Sequence, residues 1–299
     1  MITPKELEKL YAQGQNISAL LRKELNVDHN TPEIIEISYD MQTGSYTEAM
    51  KSEAMAKHKA EYSAEIANVI LSLCDPKSIL EAGVGEATTL SGVIKSLNKP
   101  IKSYGFDLSW SRVAYAKEWL LSQGVTNTTL CTGDLFNMPF IDNAIDIVYT
   151  SHSIEPNGGN EEAILKELYR VTNKYLILLE PGYELSNEEI RQRMDSHGYC
   201  KNLPTIAKSL GYDVIKHQLF SSSANPLNPT ALTIISKQSN TELPDNVFAC
   251  PKFKTPITQI NNAFFSQEAL VAYPIIGDIP CLRIENGIFA SKFPETVKD

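Results

Sequence analysis

Glu81, Asp107 and Asp134, with Gly83 and Gly85, are the residues whose types and spacing could do chemistry in this sequence. Ser78 to Leu90 reads as an apolar strand, a glycine turn and the start of a helix. Gly83 and Gly85 let the backbone turn sharply and let a ligand come close. The helix that follows offers free N–H groups at its first turn. A strand–turn–helix of this kind is where open α/β sheets bind nucleotide-like ligands. A dinucleotide fingerprint would place a third glycine at position 88, where this chain has Thr88. Asp107 ends the run Tyr104-Gly105-Phe106-Asp107 and is placed to accept hydrogen bonds from ribose hydroxyls. The same stretch also reads as a helix start, with Ser109 as the cap. In Thr132-Gly133-Asp134-Leu135, the carboxylate can accept from an adenine amine while Leu135 packs on the ring. Gly-Asp is equally ordinary turn composition.

A second set of residues offers proton chemistry. The strand-like run 144–150 ends in Thr150-Ser151-His152, where a substrate would approach. His152 and Glu155 are candidate bases, with Glu180 at the end of the next strand and His197 as further candidates. His152 reads equally well as a structural histidine, and His197 as a plain helix end. Tyr39, Gln42 and Tyr46, ahead of the first long helix, are candidates for a lid over a ligand. Simple packing of an N-terminal arm is the other reading.

These residues need a scaffold, and the apolar pattern supplies one. Strands are expected at 78–82, 102–107, 127–132, 144–150, 174–180, 213–220 and 230–236, with helices at about 87–97, 110–123, 160–172, 186–196 and 203–210. Such alternation predicts an α/β fold, with a mainly parallel sheet covered on both faces. The last two strands flank a Pro/Asn loop and should form an antiparallel hairpin. Residues 1–55 read as a helical cap: Thr3 and Pro4 open one helix, a second spans Ile17 to Leu25, and 33–50 shows no clean period. Ala54 to Leu73 is strongly helical. The main domain then covers 56–237, the polar stretch 238–247 reads as a linker, and 248–299 changes character to short strands rich in Pro, Phe and Ile.

Hydrophobic residues make up 42% and charged residues 21%, which suits a globular chain with a core. A net charge of −9 argues against a large nucleic-acid footprint. No apolar run approaches membrane-spanning length, and the polar start MITPKELEKLYAQ lacks a signal-peptide core, so a cytoplasmic location is expected. The five cysteines are scattered and read as reduced, mostly buried thiols.

Taken in order, these motifs resemble those of the class I S-adenosylmethionine-dependent methyltransferases, over about residues 56–237. Glu81, Gly83 and Gly85 match the family's first motif, with Ala87 in place of its third glycine. Asp107, with Leu108 beside it, matches the ribose-binding acid, and Asp134, with Leu135, the adenine-binding one. Residues 162–181, EAILKELYRVTNKYLILLEP, resemble the helix and fifth strand that follow. The resemblance implies a Rossmann-like seven-stranded sheet in the order 3-2-1-4-5-7-6, with strand 7 antiparallel. It implies S-adenosylmethionine as cofactor, S-adenosylhomocysteine as product, no metal, and in-line transfer of the sulfonium methyl group. Glu81, Gly83, Gly85, Asp107, Leu108, Asp134, Leu135, Thr150, Tyr39 and Tyr46 form the expected cofactor site, and His152, Glu155 and His197 the expected catalytic set.

The segment from Phe248 to Pro280 resembles the small zinc-ribbon activators that pair with tRNA and translation-factor methyltransferases. Counted from Tyr273-Pro274-Ile275, the four ligand positions hold Cys250, Phe253, Ser266 and Ala269. One cysteine does not make a four-ligand zinc site. A ribbon-like fold without metal is expected, with Phe253, Phe264, Phe265 and Leu270 as its core, docked on the main domain. The expected activity is methyl transfer (EC 2.1.1.-) to a small or medium acceptor, such as a sugar or nucleotide-sugar of surface-glycan synthesis. A tRNA or translation-factor methyltransferase is the alternative, although Ser151-His152-Ser153-Ile154 stands where an Asn-Pro-Pro-Tyr-type motif would be. A non-catalytic binding protein that keeps the fold is the third reading. The acceptor atom and the oligomeric state are not set by the sequence.

Overall fold

The computed structural model describes residues 2–223, 225–239 and 241–297. Four helices open the chain: α1 (Pro4–Ala12), α2 (Ile17–Leu25), α3 (Pro32–Met41) and α4 (Ser45–Ala49). Thr3 and Glu6 form a reciprocal capping box at the start of α1, with Pro4 in the first turn. The helices α3 and α4 occupy the stretch without a clean period. Thr31 caps α3 through the Ile34 N–H, and Pro32 opens it. Only Ile34 and Ser38 of α3 are buried, while Ile35, Glu36 and Tyr39 line a cleft. Ile34, Ile37 and Met41 pack against α1 and α2 while Ile35 and Tyr39 face the cleft, so apolar residues fall on two faces and the helical period is blurred.

The long helix α5 (Glu53–Leu73) follows, and its Tyr62, Ile66, Ala67 and Ile70 join the core on one face of the main sheet. The strands and helices then alternate: β1 (Ser78–Ala82), α6 (Thr88–Leu97), β2 (Lys102–Asp107), α7 (Trp110–Ser122), β3 (Thr128–Thr132), β4 (Ile145–Ser151), α8 (Glu161–Val171), β5 (Thr172–Pro181), α9 (Glu188–His197), α10 (Leu203–Ser209), β6 (Asp213–Leu219) and β7 (Thr230–Ser236). The sheet order is β3-β2-β1-β4-β5-β7-β6. β1 pairs in parallel with both β2 and β4, whereas β7 runs antiparallel to β5 and β6. This is the expected doubly covered α/β sheet with its terminal hairpin. β1 is buried along its whole length, as a central parallel strand must be.

A smaller antiparallel sheet ends the chain, with β8 (Thr258–Ile260), β9 (Ala263–Ser266), β10 (Val271–Ile276), β11 (Ile279–Pro280) and β12 (Ile288–Phe289). It docks on the β3 edge of the main sheet. Thr132 bridges Cys281 in parallel, and Leu282 N–H donates to the Thr132 carbonyl at 3.3 Å. Phe248 packs at a tilt 5.6 Å from Phe140, and Phe264 meets Phe248 edge-on at 5.3 Å. The apolar core therefore runs without a break from the main sheet into the module, and the open sheet edge is covered.

Phe264 and Phe265 are buried as expected, Phe264 in the main core and Phe265 on the other face with Leu270 partly packed against its cluster, but Phe253 is 48% exposed and contributes no core. The turn carrying Phe253 faces solvent because Cys250 points inward, with its Sγ 3.5 Å from the Tyr273 hydroxyl. Ser266 is fully buried. No group of three or more His, Cys, Asp or Glu is arranged to hold a metal ion among the described residues. No helix among them is long and apolar enough to cross a membrane.

Candidate active site

A cleft of about 520 Å³ opens over the C-terminal ends of the parallel strands. Its floor comes from β1 and the glycine turn. Gly83 and Gly85 both adopt left-handed backbone, with φ of +75° and +53°. A Cβ on Gly83 would sit 2.2 Å from the Ser153 Cβ, so only glycine fits beneath the loop that follows β4. The Ser153 hydroxyl donates to the Ala82 carbonyl at 2.7 Å, which ties that loop to the turn.

Glu81 is buried and accepts from the Tyr149 hydroxyl at 2.9 Å. Burial pushes its carboxyl well above the ordinary range, against the Tyr149 hydrogen bond and the charge of Lys59. Lys59, from α5, reaches the cleft and donates to Thr89 Oγ1 at 2.8 Å, and burial holds its ammonium below the ordinary range. Asp107 is buried at the end of β2. Its Oδ2 accepts from Gly85 N–H at 2.9 Å and its Oδ1 from Ser109 N–H at 3.0 Å. Ser109 also caps α7 through the Arg112 N–H, so both readings of this stretch hold together. Each carboxylate oxygen can accept a further hydrogen bond, and Asp107 lines the cleft. Asp134 accepts from Phe136 N–H at 2.9 Å, and burial raises its pKa. Leu108, Leu135 and Phe136 complete an apolar slot around it.

The opposite wall belongs to the N-terminal cap. Glu86, directly after Gly85, accepts from the backbone N–H groups of Gly44, Tyr46 and Thr47 and from the Thr47 hydroxyl, at 2.7–3.3 Å. That carboxylate pins the α3–α4 corner over the turn. Arg112 lies between the rings of Tyr39 and Tyr46, its guanidinium 4.9 and 4.8 Å from their centroids. Burial weighs against its charge, and Asp107 together with Tyr46 and Tyr39 more than restores it. Its Nε is buried without an acceptor.

The third wall gathers proton chemistry. His152 follows β4 with φ of +57°. Its Nδ1 meets Glu155 Oε2 at 2.5 Å and its Nε2 meets Thr230 Oγ1 at 2.8 Å. Burial opposes its charge, but the hydrogen bond and charge of Glu155 outweigh it, and the imidazole is held above its ordinary value. Burial opposes the Glu155 charge too, pushing its carboxyl up, but the hydrogen bond and charge of His152, with hydrogen bonds from Tyr199 and Asn228, bring it below its ordinary value. Asn228, in the loop of the β6–β7 hairpin, donates to Glu155 Oε2 at 3.2 Å and leaves its own Oδ1 buried without a donor. Glu180 lies behind this wall. It accepts from the N–H groups of Ser153, Ile154 and Glu155 at 3.0–3.2 Å, so it shapes the loop and does not line the cleft.

Of the residues singled out from sequence, Glu81, Gly83, Gly85, Asp107, Leu108, Asp134, Leu135, Tyr39, Tyr46, His152 and Glu155 all line this one cleft. Thr150 lies beneath it, fully buried, and Ser151 takes the lining position. His197 sits in a neighbouring hollow with Gln42, on the far side of Tyr39 and Pro156. Lys59, Glu86, Arg112 and Asn228 escaped the sequence reading. Glu86 was within reach of it, because an acid directly after the second turn glycine sits at the helix mouth. Lys59 and Arg112 are hidden among the charges of amphipathic helices.

Residues 79–174 match the family model described as "Methyltransferase domain". Among solved structures, the fold is similar to magnesium protoporphyrin IX methyltransferase from Synechocystis PCC 6803 with bound SAH, at a TM-score of 0.51 and 13% identity, over 70% of this chain and 100% of that one. A candidate O-methyltransferase from Nostoc punctiforme PCC 73102 superposes at 0.50 with 15% identity, over 67% of this chain and 60% of that one. A SAM-dependent methyltransferase from Aquifex aeolicus matches at 0.45 with 19% identity, over 57% and 88%. Residues 79–174 thus carry a methyltransferase domain, on a sheet with the fold of these methyltransferase structures. The zinc-ribbon resemblance of its last fifty residues finds no counterpart in these matches.

Proposed function

We propose that the chain transfers the methyl group of S-adenosylmethionine to a small or medium polar acceptor that enters between Tyr39 and the His152–Asn228 wall. One observation carries this reading. Two carboxylates at successive strand ends, Asp107 and Asp134, face a single cleft whose floor is a left-handed glycine turn. Asp107 would take the ribose hydroxyls. Asp134, Leu108 and Leu135 would take the adenine. The glycine turn, Thr89 and Lys59 would face the amino-acid end. The bound cofactor supplies an activated methyl group, so the protein's work is alignment and, where the acceptor requires it, removal of a proton.

Both ring nitrogens of His152 are already engaged. In this arrangement His152 and Asn228 orient Glu155, and the His152–Glu155 pair would be the group that takes a proton leaving the substrate. A sugar or nucleotide-sugar acceptor and a cytoplasmic location suit the acidic chain and the amide-rich rim formed by Asn225 and Asn228. Calorimetric titration with S-adenosylmethionine tests the reading. Micromolar binding to the wild type that is lost in Asp107→Ala is expected, and no binding at millimolar ligand overturns it.

A further inference from the structure

A second hollow, of about 340 Å³, lies between α1–α3 and the chain around Tyr199. It meets the cleft at Ile35, Tyr39 and Pro156, which line both. Its lining is polar but carries no carboxylate, in a chain with 36 acidic and 27 basic residues. Amides from Gln15, Asn16, Asn30 and Gln42 surround the two side chains that can carry positive charge, Arg22 and His197. Arg22 Nη1 donates to Asn30 Oδ1 at 2.7 Å, and Asn30 Nδ2 donates to the Pro156 carbonyl at 3.1 Å. The guanidinium is thereby oriented from the loop that separates hollow and cleft. Its remaining N–H groups have no acceptor among the described residues. The His197 imidazole is held below its ordinary value, first by burial and then by Arg193, with Glu155 acting the opposite way and Arg22 adding to the lowering.

We propose that this hollow seats an oxyanion, a phosphate or carboxylate, borne by the methyl acceptor, while the acceptor's reacting atom lies across Tyr39 in the cleft. The proposal rests on the methyl-transfer reading. Arg22 supplies planar paired donors suited to an oxyanion, the amides take hydroxyl groups, and the Tyr39–Pro156 wall sets the distance between anchor and reacting atom.

Three matched probes test it: glucose, glucose 1-phosphate and glucuronate. Each is titrated into the full chain saturated with S-adenosylhomocysteine, by calorimetry and by NMR of the His197 ring protons. Both anions, or one of them, should bind about tenfold or more tightly than glucose and shift the His197 signals. The tighter of the two assigns phosphate or carboxylate. Arg22→Met should erase the difference and Arg22→Lys should restore part of it, both with unchanged affinity for S-adenosylhomocysteine, which also reports that the variants fold. Equal affinities for the three probes, no binding of either anion, an unmoved His197, or discrimination retained in Arg22→Met would overturn the proposal. The titrations are repeated without S-adenosylhomocysteine. A failure of cofactor binding then counts against the methyl-transfer reading alone, and the anion measurement still stands.

Discussion

The strand-end half of the cleft and its lid half are built by different routes. Glu81 and Asp107 lie within successive parallel strands, and Asp134 directly follows the next. Their positions follow from strand pairing: Glu81 pairs with Gly105, and Asp107 with Thr132. Any sequence that forms this sheet brings these carboxylates to one edge. The lid half assembles distant pieces with no such rule. Tyr39 and Tyr46 come from the N-terminal cap, His152 and Glu155 from a loop, and Asn228 from a hairpin turn. Single polar residues hold them there: Glu86 for the cap and Glu180 for the loop. A half built on a sheet should resist mutation outside its ligand contacts, whereas a half built on polar clasps should fail when one clasp is removed.

Asp107→Ala should have the largest effect. It removes the proposed ribose acceptor and frees two backbone donors, and the lost charged hydrogen bonds correspond to about 3 kcal/mol or more, near a hundredfold or greater loss of cofactor affinity by calorimetry. An unchanged affinity would refute the ribose assignment.

Glu86→Ala comes next. Four donors lose one carboxylate, at about 1–3 kcal/mol once water replaces part of it. Hydrogen exchange at residues 44–47 should accelerate, with a smaller loss of cofactor affinity than in Asp107→Ala. Protection as in the wild type would mean that Arg112 stacking alone holds the corner.

Glu180 gives a test in pH. Burial pushes its carboxyl up to about 7 from an ordinary 4.5, so the folded state holds the proton more tightly than the unfolded one. The stability this proton contributes is fully present below about 4.5 and is lost as pH rises through about 7. Glu180→Gln does not titrate. Urea denaturation should show the wild type losing more stability than the variant between about pH 5 and pH 8. Parallel losses in the two proteins would rule out this titration.

Arg283→Met should have the smallest effect of the four. Arg283 reaches from the C-terminal module to Glu36 on α3 and to the Leu108 carbonyl, so it joins that module to both halves of the cleft. Glu36 is partly exposed, and a partly exposed pair contributes about 1 kcal/mol or less. A few-fold weaker cofactor binding, without loss of the fold, is the expected readout; a larger effect would make the module part of the site itself.

The sheet was legible because a parallel strand buried on both faces, as β1 is, writes itself as a continuous apolar run, and because Gly83 and Gly85 mark the turn. The carboxylates at its edge were legible for the same reason. The helices α3 and α4 were not, since α3 carries apolar residues on both its packed and its cleft face and α4 is a single short turn with no buried residue. Phe253 misled because hydrophobicity says that a side chain can be buried, not that its turn faces inward. The position of His197 was not legible either. Its residue type suits proton chemistry, but Tyr39 and Pro156 stand between it and the cleft.

By itself, then, the sequence determined the sheet, the glycine turn and the two carboxylates at the strand ends, because local periodicity and backbone freedom are properties of short segments. Only the tertiary structure decided that His152 is bound at both nitrogens, that Glu86 clasps the cap, and that Arg112 lies between two tyrosines. Those contacts join residues far apart in the chain, and their geometry exists only once the separate elements have packed.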